Sequence, residues 1–570
     1  MTASPTPPPL FGSDYIADML RSLGIQHLAI NPGASFRGLH DSIVNRLGNS
    51  NPALVLTLHE AQAVAIAHGY AKVTGKPMGV VLHANVGLMN AVMAIYNAWV
   101  DRVPMLILGA TGAVDAARRR PWIEWIHTSR DQAALIRPFV KWDDQPGSIE
   151  AAAESLLRAV SMTLTAPCAP TYICLDVDLQ EGALQNAPAM LDPARFSAPA
   201  LPVIGPTEMV RAVSLLEKSS RPLILVGRYD RSVSAWADRI ALADALGAAV
   251  LCDQKCGVGF PSNHPAFIGA PAQYPDKRAA ALIEQADLIL SLDWPDVKGL
   301  LSLRADKGAG LPTIIASPDE RLHNGWSLDH FSLPEADLRL PVKPETFTAA
   351  LLPLLTSHTP AQWGLPSAEL PEPPSSGPVT LPALAAAFDK IRGNRAVCLT
   401  RLTFGLPDAM VRFTHPLDCI GYDGGGGIGS TPGITVGAAL ALKGSGRLPV
   451  AILGDGDLLM GSQALWTAAA ERLPALFIVN NNQSFYNDVE HQERVAIHRG
   501  RPVENKNTGM AICDPAIDLV GLASSYGCTA FGPVATIEEL PGVLDKAFAA
   551  AEAGGTVLVD VRTLPPAARG

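Results

Sequence analysis

Short aliphatic and β-branched runs alternate with stretches of helical periodicity along nearly the whole chain. The runs include Leu54–Leu58, Met78–Leu82, Met105–Leu108, Leu223–Val226, Leu288–Leu290, Thr313–Ala316, Val450–Leu453, Leu476–Val479 and Thr556–Val561. Such short, continuously apolar runs predict strands covered on both faces. Their alternation with helices predicts parallel sheets, and so an α/β fold. Two proline-rich stretches interrupt the pattern, at 187–206 (APAMLDPARFSAPALPVIGP) and 357–382 (SHTPAQWGLPSAELPEPPSSGPVTLP). Read as linkers, they divide the chain into domains at 10–186, 203–345 and 379–570, each expected to be a parallel sheet flanked by helices.

Composition narrows the class. At 570 residues the chain is too long for one core. With 48% apolar and 17% charged residues it reads as a packed globular protein rather than a disordered one. A formal net charge of -10 argues against nucleic acid or an anionic membrane as the main partner. The opening MTASPTPPPLFG has no basic stretch followed by an apolar one, so a signal peptide is not expected, and no apolar run reaches the length of a membrane span. The eight cysteines are scattered; Cys168 with Cys174 and Cys252 with Cys256 are the close pairs, and neither has a second pair at metal-ligand spacing. They read as reduced, mostly buried thiols of a cytoplasmic protein.

Candidate chemistry begins at 454–461, GDGDLLMG, and continues at 477–485, FIVNNNQSF. Alone, GDG reads as a turn, because Asp and Gly tolerate turn backbone. Its context says more. Val450–Leu453 predicts a strand ending at Gly454, Ser462–Arg472 has helical periodicity, and Ala475–Val479 predicts a second strand ending at Asn480. In a strand–helix–strand unit both strands end on one edge of a parallel sheet, where ligands bind. Asp455 and Asn482 then converge there as oxygen donors. Hard oxygens with room for more suit magnesium, which completes its shell with phosphate and water. Gly454 and Gly456 let the backbone approach a phosphate closely. The stretch is neither a P-loop nor GxGxxG. The pattern therefore points to a magnesium–diphosphate site.

GDG at 454–456 followed by NN at 481–482 resembles the signature of thiamine-diphosphate enzymes of the pyruvate oxidase/decarboxylase family. Asn480 is extra to it. The resemblance implies that Asp455, the Asn482 side chain and the Ser484 carbonyl hold magnesium beside thiamine diphosphate. The family often has Ser or Ala after GDG; here Asp457 follows. It could bond the aminopyrimidine region or cap the next helix.

The family also needs a glutamate that hydrogen-bonds the aminopyrimidine ring and primes the cofactor. LTLHEAQAVAIAHGYAKVTGKP (56–77) is similar to its strand–Glu–Ala helix followed by GYA and Gly–Lys–Pro. Glu60 takes that role by position, although a lone Glu at a helix start also answers to the macrodipole. NPGAS (31–35) resembles the loop over the cofactor, with Pro32 and Gly33. LHANVGLMNA (82–91) resembles the loop that places a polar residue near the substrate, with Asn90. GGGGIGSTPG (424–433) resembles the loop that puts Gly427 and the bulky Ile428 under the cofactor. RPFVKW (137–142) and ALWTAA (464–469) are similar to benzoylformate decarboxylases in particular.

His83 matches a substrate-side histidine of that branch; the bland reading is a histidine bonded to backbone at a strand end. Where the branch has a substrate-binding serine this chain has Ala34, with Ser35 one place on, and the adjacent His-His pair of pyruvate decarboxylases is missing. The polar segment 484–507 reads as a lid or specificity loop that brings Tyr486 and His491 to the substrate, or as a solvated helix, the reading preferred for His498. Trp122 and Trp125 read as pocket lining or dimer contact. The central block offers PLILVGRYDRS (222–232), without a dinucleotide fingerprint, so FAD is not expected.

The resemblance implies non-oxidative decarboxylation of a 2-oxo acid, with aldehyde carboligation. The alternatives are an acetolactate synthase-like carboligase and a benzaldehyde lyase-like C–C lyase. A non-catalytic relative would have lost Glu60, Asp455 or Asn482, and all three are present. In the family the cofactor spans two chains, with Glu60 on one and Asp455 on the other. A homodimer is then the minimum and a homotetramer the expected assembly.

Overall fold

Each of the nine apolar runs named above overlaps a strand, although the strand at Leu54–Leu58 stops at Leu56, because a short, largely apolar run has little to offer solvent and satisfies its backbone in a covered sheet. The computed structural model describes residues 10–271, 276–319, 332–356, 363–364 and 372–564. The chain's start to residue 9, and residues 357–362 and 365–371 of the second proline-rich stretch, lie outside them.

Three parallel sheets follow one another along the chain. The first contains β1 (His27–Ile30), β2 (Ala53–Leu56), β3 (Met78–Leu82), β4 (Met105–Thr111), β5 (Trp142–Asp144) and β6 (Pro170–Asp176), in the order β2-β1-β3-β4-β6-β5. The second contains β7 (Pro222–Val226), β8 (Ala249–Cys252), β9 (Phe267–Gly269), β10 (Leu288–Leu292), β11 (Thr313–Ala316) and β12 (Leu338–Leu340), in the order β12-β11-β10-β7-β8-β9. The third contains β13 (Val397–Leu402), β14 (Leu448–Gly454), β15 (Ala475–Asn481), β16 (Thr529–Val534) and β17 (Thr556–Arg562), in the order β13-β14-β15-β17-β16. Helices cover the sheets, as the crossovers of parallel strands require.

By contact the chain divides into two compact units, residues 1–200 with 424–437, and residues 201–423 with 438–570. In the second unit one apolar core runs through the second and third sheets, joining Ile224, Val250 and Leu290 to Leu399, Val450 and Ile478. The Tyr229 hydroxyl donates to the carbonyls of Pro416 (3.3 Å) and Cys419 (3.1 Å) inside it.

In the first unit the helix Glu60–Thr74 is buried along most of its length. Its face is built of small residues, so a neighbouring backbone can come close. A Cβ on Gly69 would lie 2.0 Å from the Ile434 carbonyl oxygen, and one on Gly437 1.9 Å from that of Ile66. This reciprocal contact is open only to glycine, and it holds residues 424–437 to the first unit although they lie next to the third sheet in sequence.

All eight cysteines are free thiols, six of them buried. Among the described residues no helix is long and apolar enough to cross a membrane.

Candidate active site

The third sheet brings the two polar signatures together. β14 and β15 pair in parallel with Gly454 opposite Asn480, so both strands end on one edge. Gly454 is the N-cap of a helix, Asp455–Gly461, which begins earlier than periodicity alone suggests. Asp455 is buried, 4% exposed, and its Oδ1 accepts from the Gly456 N–H at 3.0 Å. The N–H groups of Gln483 and Ser484 also favour its ionised form, which places the acid near the turn that follows β15. Burial pushes the Asp455 carboxyl up to about 6 against those N–H groups. Among the described residues no cationic side chain pairs with it.

The three asparagines separate into distinct tasks. Asn480, extra to the signature, accepts from the Thr563 hydroxyl at 2.5 Å and donates to that of Thr403 at 3.4 Å, bracing the ends of β15, β17 and β13. Asn481 donates to the Asp560 carboxylate at 2.8 Å. Asn482 turns toward the edge, its Oδ1 accepting from the Ser484 N–H at 3.0 Å, and the turn passes through Gln483 at φ +56°. The two glycines of GDG also differ. A Cβ on Gly456 would meet the Phe485 ring at 2.6 Å, so that glycine is needed for packing. One on Gly454 would meet nothing within 4 Å, which leaves the backbone open to a ligand.

Asp457 does not cap the helix: it sits inside the first turn, and its Oδ2 lies 3.9 Å from the Arg401 Nε. The polar segment after Ser484 is also different from a lid loop. Tyr486–His498 is an α-helix, with Val489 and Ala496 buried and charges outward, as helical spacing of those apolar positions permits. Lys506 pairs back onto it through Glu493 at 2.8 Å. His491 is exposed beside Arg494 (3.1 Å), His498 is exposed, and Tyr486 is half-buried at the helix start.

The first unit holds the other predicted residues. β2 stops at Leu56, and Glu60 is the first residue of the helix Glu60–Thr74, whose N-cap His59 accepts from the Ala61 N–H at 3.1 Å. Glu60 is buried, 7% exposed, and its Oε2 accepts from Asn90 Nδ2 at 3.1 Å. His83 follows β3 and is half-buried. Its Nδ1 lies 2.8 Å from the Ser35 hydroxyl. Ala34 is exposed, whereas Ser35 is buried, so the serine one place along is the one that reaches the histidine. Pro32 is exposed beside it, and Gly33 is required: a Cβ there would lie 2.1 Å from the His83 ring.

His127 stands edge-on to His83, ring centroids 4.8 Å apart. Sequence reasoning missed it; a single His in IHTSR carries no pattern, and only folding sets it beside His83. Burial lowers the His83 pKa below its ordinary 6.5, His127 and Arg120 lower it further, and Glu60 opposes them.

The loop bearing Gly427 and Ile428 packs on the first unit. Asn97 Nδ2 donates to the Gly427 carbonyl (3.0 Å) and to the Ser430 hydroxyl (2.9 Å), and Gln62 Nε2 to the Gly429 carbonyl (2.8 Å). Ile428 is half-buried. Trp122 and Trp125 are 79% and 78% exposed, so they line no pocket within this unit.

The edge at Asp455 fits a cation-bridged phosphate. A buried carboxylate without a cationic partner, an amide oxygen and an open glycine backbone are the donors and the space such a group needs. No group of three His, Cys, Asp or Glu side chains placed to hold a metal ion occurs among the described residues. A cation at this edge would therefore depend on amide, carbonyl and ligand oxygens as well as Asp455.

The chain is similar to known proteins along most of its length. The family model described as thiamine pyrophosphate enzyme, N-terminal TPP binding domain, matches residues 11–135; the central-domain model matches 209–293, and the C-terminal TPP binding domain model matches 406–561. A benzoylformate decarboxylase of Pseudomonas aeruginosa is 28% identical over 525 residues, 89% of this chain and 91% of that protein. An acetolactate synthase of Bacillus subtilis is 22% identical over 573 residues, 96% and 92% of the two chains.

Among solved structures, benzoylformate decarboxylase from Polynucleobacter necessarius superposes with a TM-score of 0.80 at 22% identity, over 98% of this chain and 100% of that one. The thiamine diphosphate-dependent 4-hydroxybenzoylformate decarboxylase of Rhodococcus jostii RHA1 gives 0.77 at 22%, over 98% and 99%. At that identity the structures speak to fold. The three family models succeed one another in the order of the three sheets, and the chain belongs to the thiamine pyrophosphate (thiamine diphosphate) enzyme family.

Proposed function

We propose that this protein is a thiamine-diphosphate- and magnesium-dependent decarboxylase of a 2-oxo acid, benzoylformate decarboxylase-like and non-oxidative, which also ligates aldehydes. The observation that carries the reading is the Ser35–His83 pair at 2.8 Å, on the same unit as the buried Glu60. The whole-length relationship to a benzoylformate decarboxylase supports it.

Thiamine diphosphate, when bound, would supply a nucleophilic carbon toward the 2-oxo group and a cationic ring as electron sink for the loss of carbon dioxide. The chain does the rest. Asp455, the Asn482 amide oxygen and the Ser484 carbonyl hold magnesium. Glu60, oriented by Asn90, holds and returns a proton at the cofactor's ring nitrogen. Ser35 and His83 orient the substrate, and His83, neutral at pH 7, exchanges a proton with the substrate oxygen. Pro32 and Gly33 carry the loop above the cofactor, and Gly427 and Ile428 the loop below it.

Glu60 and Asp455 come from two copies in this reading, so the working unit is a homodimer or a dimer of dimers. Val86, Met89 and Met93 on one helix face are exposed, as are Trp122, Trp125 and Ile126, an apolar surface suited to a second copy. The free thiols suit a cytoplasmic protein. FAD has no part in the proposal. The turn after β7 carries a half-buried Arg228, paired with Asp293 (3.2 Å) and Asp319 (2.7 Å), in place of a glycine-rich phosphate turn.

The protein should be offered a panel of aryl and alkyl 2-oxo acids and aldehydes, with carbon dioxide release and product identity followed together. Release of the free aldehyde from an aryl 2-oxo acid is expected. An acetolactate-type product from pyruvate, without free aldehyde, would favour the carboligase reading, which the acetolactate synthase relative supports.

The lowered His83 pKa sets a pH prediction. Protonation occurs only as pH falls below 6.5, so kcat/KM should hold at neutral pH and decline on the acid side below that value. His83→Gln should lose that limb and about 10²–10⁴-fold of the rate. An unchanged profile would remove His83 from the chemistry.

A further inference from the structure

Asp457 places a second acid close to Asp455, at an edge read above as the seat of a diphosphate. Like charges at short range repel strongly where water is excluded. The structure provides a counter-charge from another strand. Arg401, near the end of β13, lies opposite Ala451 of β14. Its Nε is 3.9 Å from Asp457 Oδ2 and its Nη1 3.8 Å from Asp423 Oδ2. All three residues are buried. The guanidinium also lies over the Tyr422 ring, 4.2 Å from its centroid, and 5.1 Å from that of Phe404. An arginine packed on aromatic faces is held in place as well as charged.

We propose that Arg401 is a positioning residue for cofactor binding: it offsets the buried charge of Asp457 and Asp423, so that the edge at Asp455 can accept an anionic diphosphate. The inference rests on the reading that the diphosphate sits at that edge. Charge arithmetic makes it specific. Arg401 with two acids sums to one negative charge (+1 with -2). Arg401→Gln leaves two, and Arg401→Gln with Asp457→Ser returns to one. A pair serving stability alone would show no such recovery in cofactor affinity.

The test is the affinity of the full-length protein for thiamine diphosphate in excess magnesium, by calorimetry, with the thermal shift on adding cofactor as a second measure. R401Q is expected to bind at least about tenfold more weakly, D457S, whose set sums to zero, at least as tightly as the original chain, and the double variant again within about threefold of it. R401K, which keeps the charge, should stay within about threefold and carries the test if R401Q does not fold. Unchanged affinity in R401Q, no recovery in the double variant, or an R401K defect as large as that of R401Q would overturn the proposal. Asp455→Ala, measured alongside, separates the two ideas: tight magnesium-dependent binding in that variant would displace the diphosphate from this edge, whatever Arg401 does.

Discussion

Glu60→Gln is expected to lower turnover by about 10²–10⁴-fold while leaving the cofactor bound. The substitution preserves shape at a crowded place. Glu60 opens a buried helix, its Cγ lies 3.4 Å from where a Cβ on Gly87 would stand, and one oxygen already accepts from Asn90 at 3.1 Å. A glutamine can keep that bond through its own oxygen, so the packing around residue 60 should hold. It cannot take up and release a proton at a ring nitrogen, which is the task proposed for the acid. Turnover on the best substrate of the panel, with cofactor content after gel filtration, separates the two effects. Undiminished turnover would reject the priming role, and loss of cofactor would make Glu60 a binding residue first.

The second large effect is expected at Asp455. Asp455→Ala should abolish magnesium-dependent retention of the cofactor, because the alanine removes the single carboxylate from a donor set otherwise made of the Asn482 amide oxygen and the Ser484 carbonyl. Burial already holds this acid up at about 6, and among the described residues no cation compensates its charge. A dication bound here would supply the compensation. The measurement is cofactor content after gel filtration in magnesium buffer, set against the original chain in chelator. Full retention by the variant would sink the assignment of the metal to this edge.

The two acids differ in how they could be found. Asp455 and Asn482 belong to one strand–helix–strand unit, and a parallel crossover of that kind ends both strands on one edge. Local pattern therefore carried most of the information, and Gly454 opposite Asn480 follows from the same register. The partner of Glu60 was less visible. Asn90 stands on the next helix, Ala84–Val100, and their contact depends on how the two helices pack against each other. Ser35 offers the plainest lesson. Alignment of its loop draws attention to Ala34, yet backbone geometry turns Ser35 inward onto His83 and leaves Ala34 exposed.

Edge strands were harder than buried ones for a related reason. β5, β9 and β12 have three residues each and half-covered or mixed faces, too short for a run to stand out from a loop. The helix Tyr486–His498 was ambiguous because only Val489 and Ala496 are buried, and two apolar anchors in a charged stretch also suit a mobile loop.

By itself the sequence determined the three-sheet α/β plan, the strand–helix–strand that carries Asp455 and Asn482, and the strand-to-helix step that carries Glu60. These depend on hydrophobic period and short-range chain geometry, which neighbouring residues specify among themselves. Only the tertiary structure decided that Asn480 is a brace, that His127 faces His83, that residues 424–437 pack on the first unit and that Asp457 meets Arg401. Each of those depends on residues far apart in the chain. A histidine, an arginine or a glycine carries no local sign of its partner, and the burial that gives such a contact its strength exists only once parallel crossovers have brought the strand ends together.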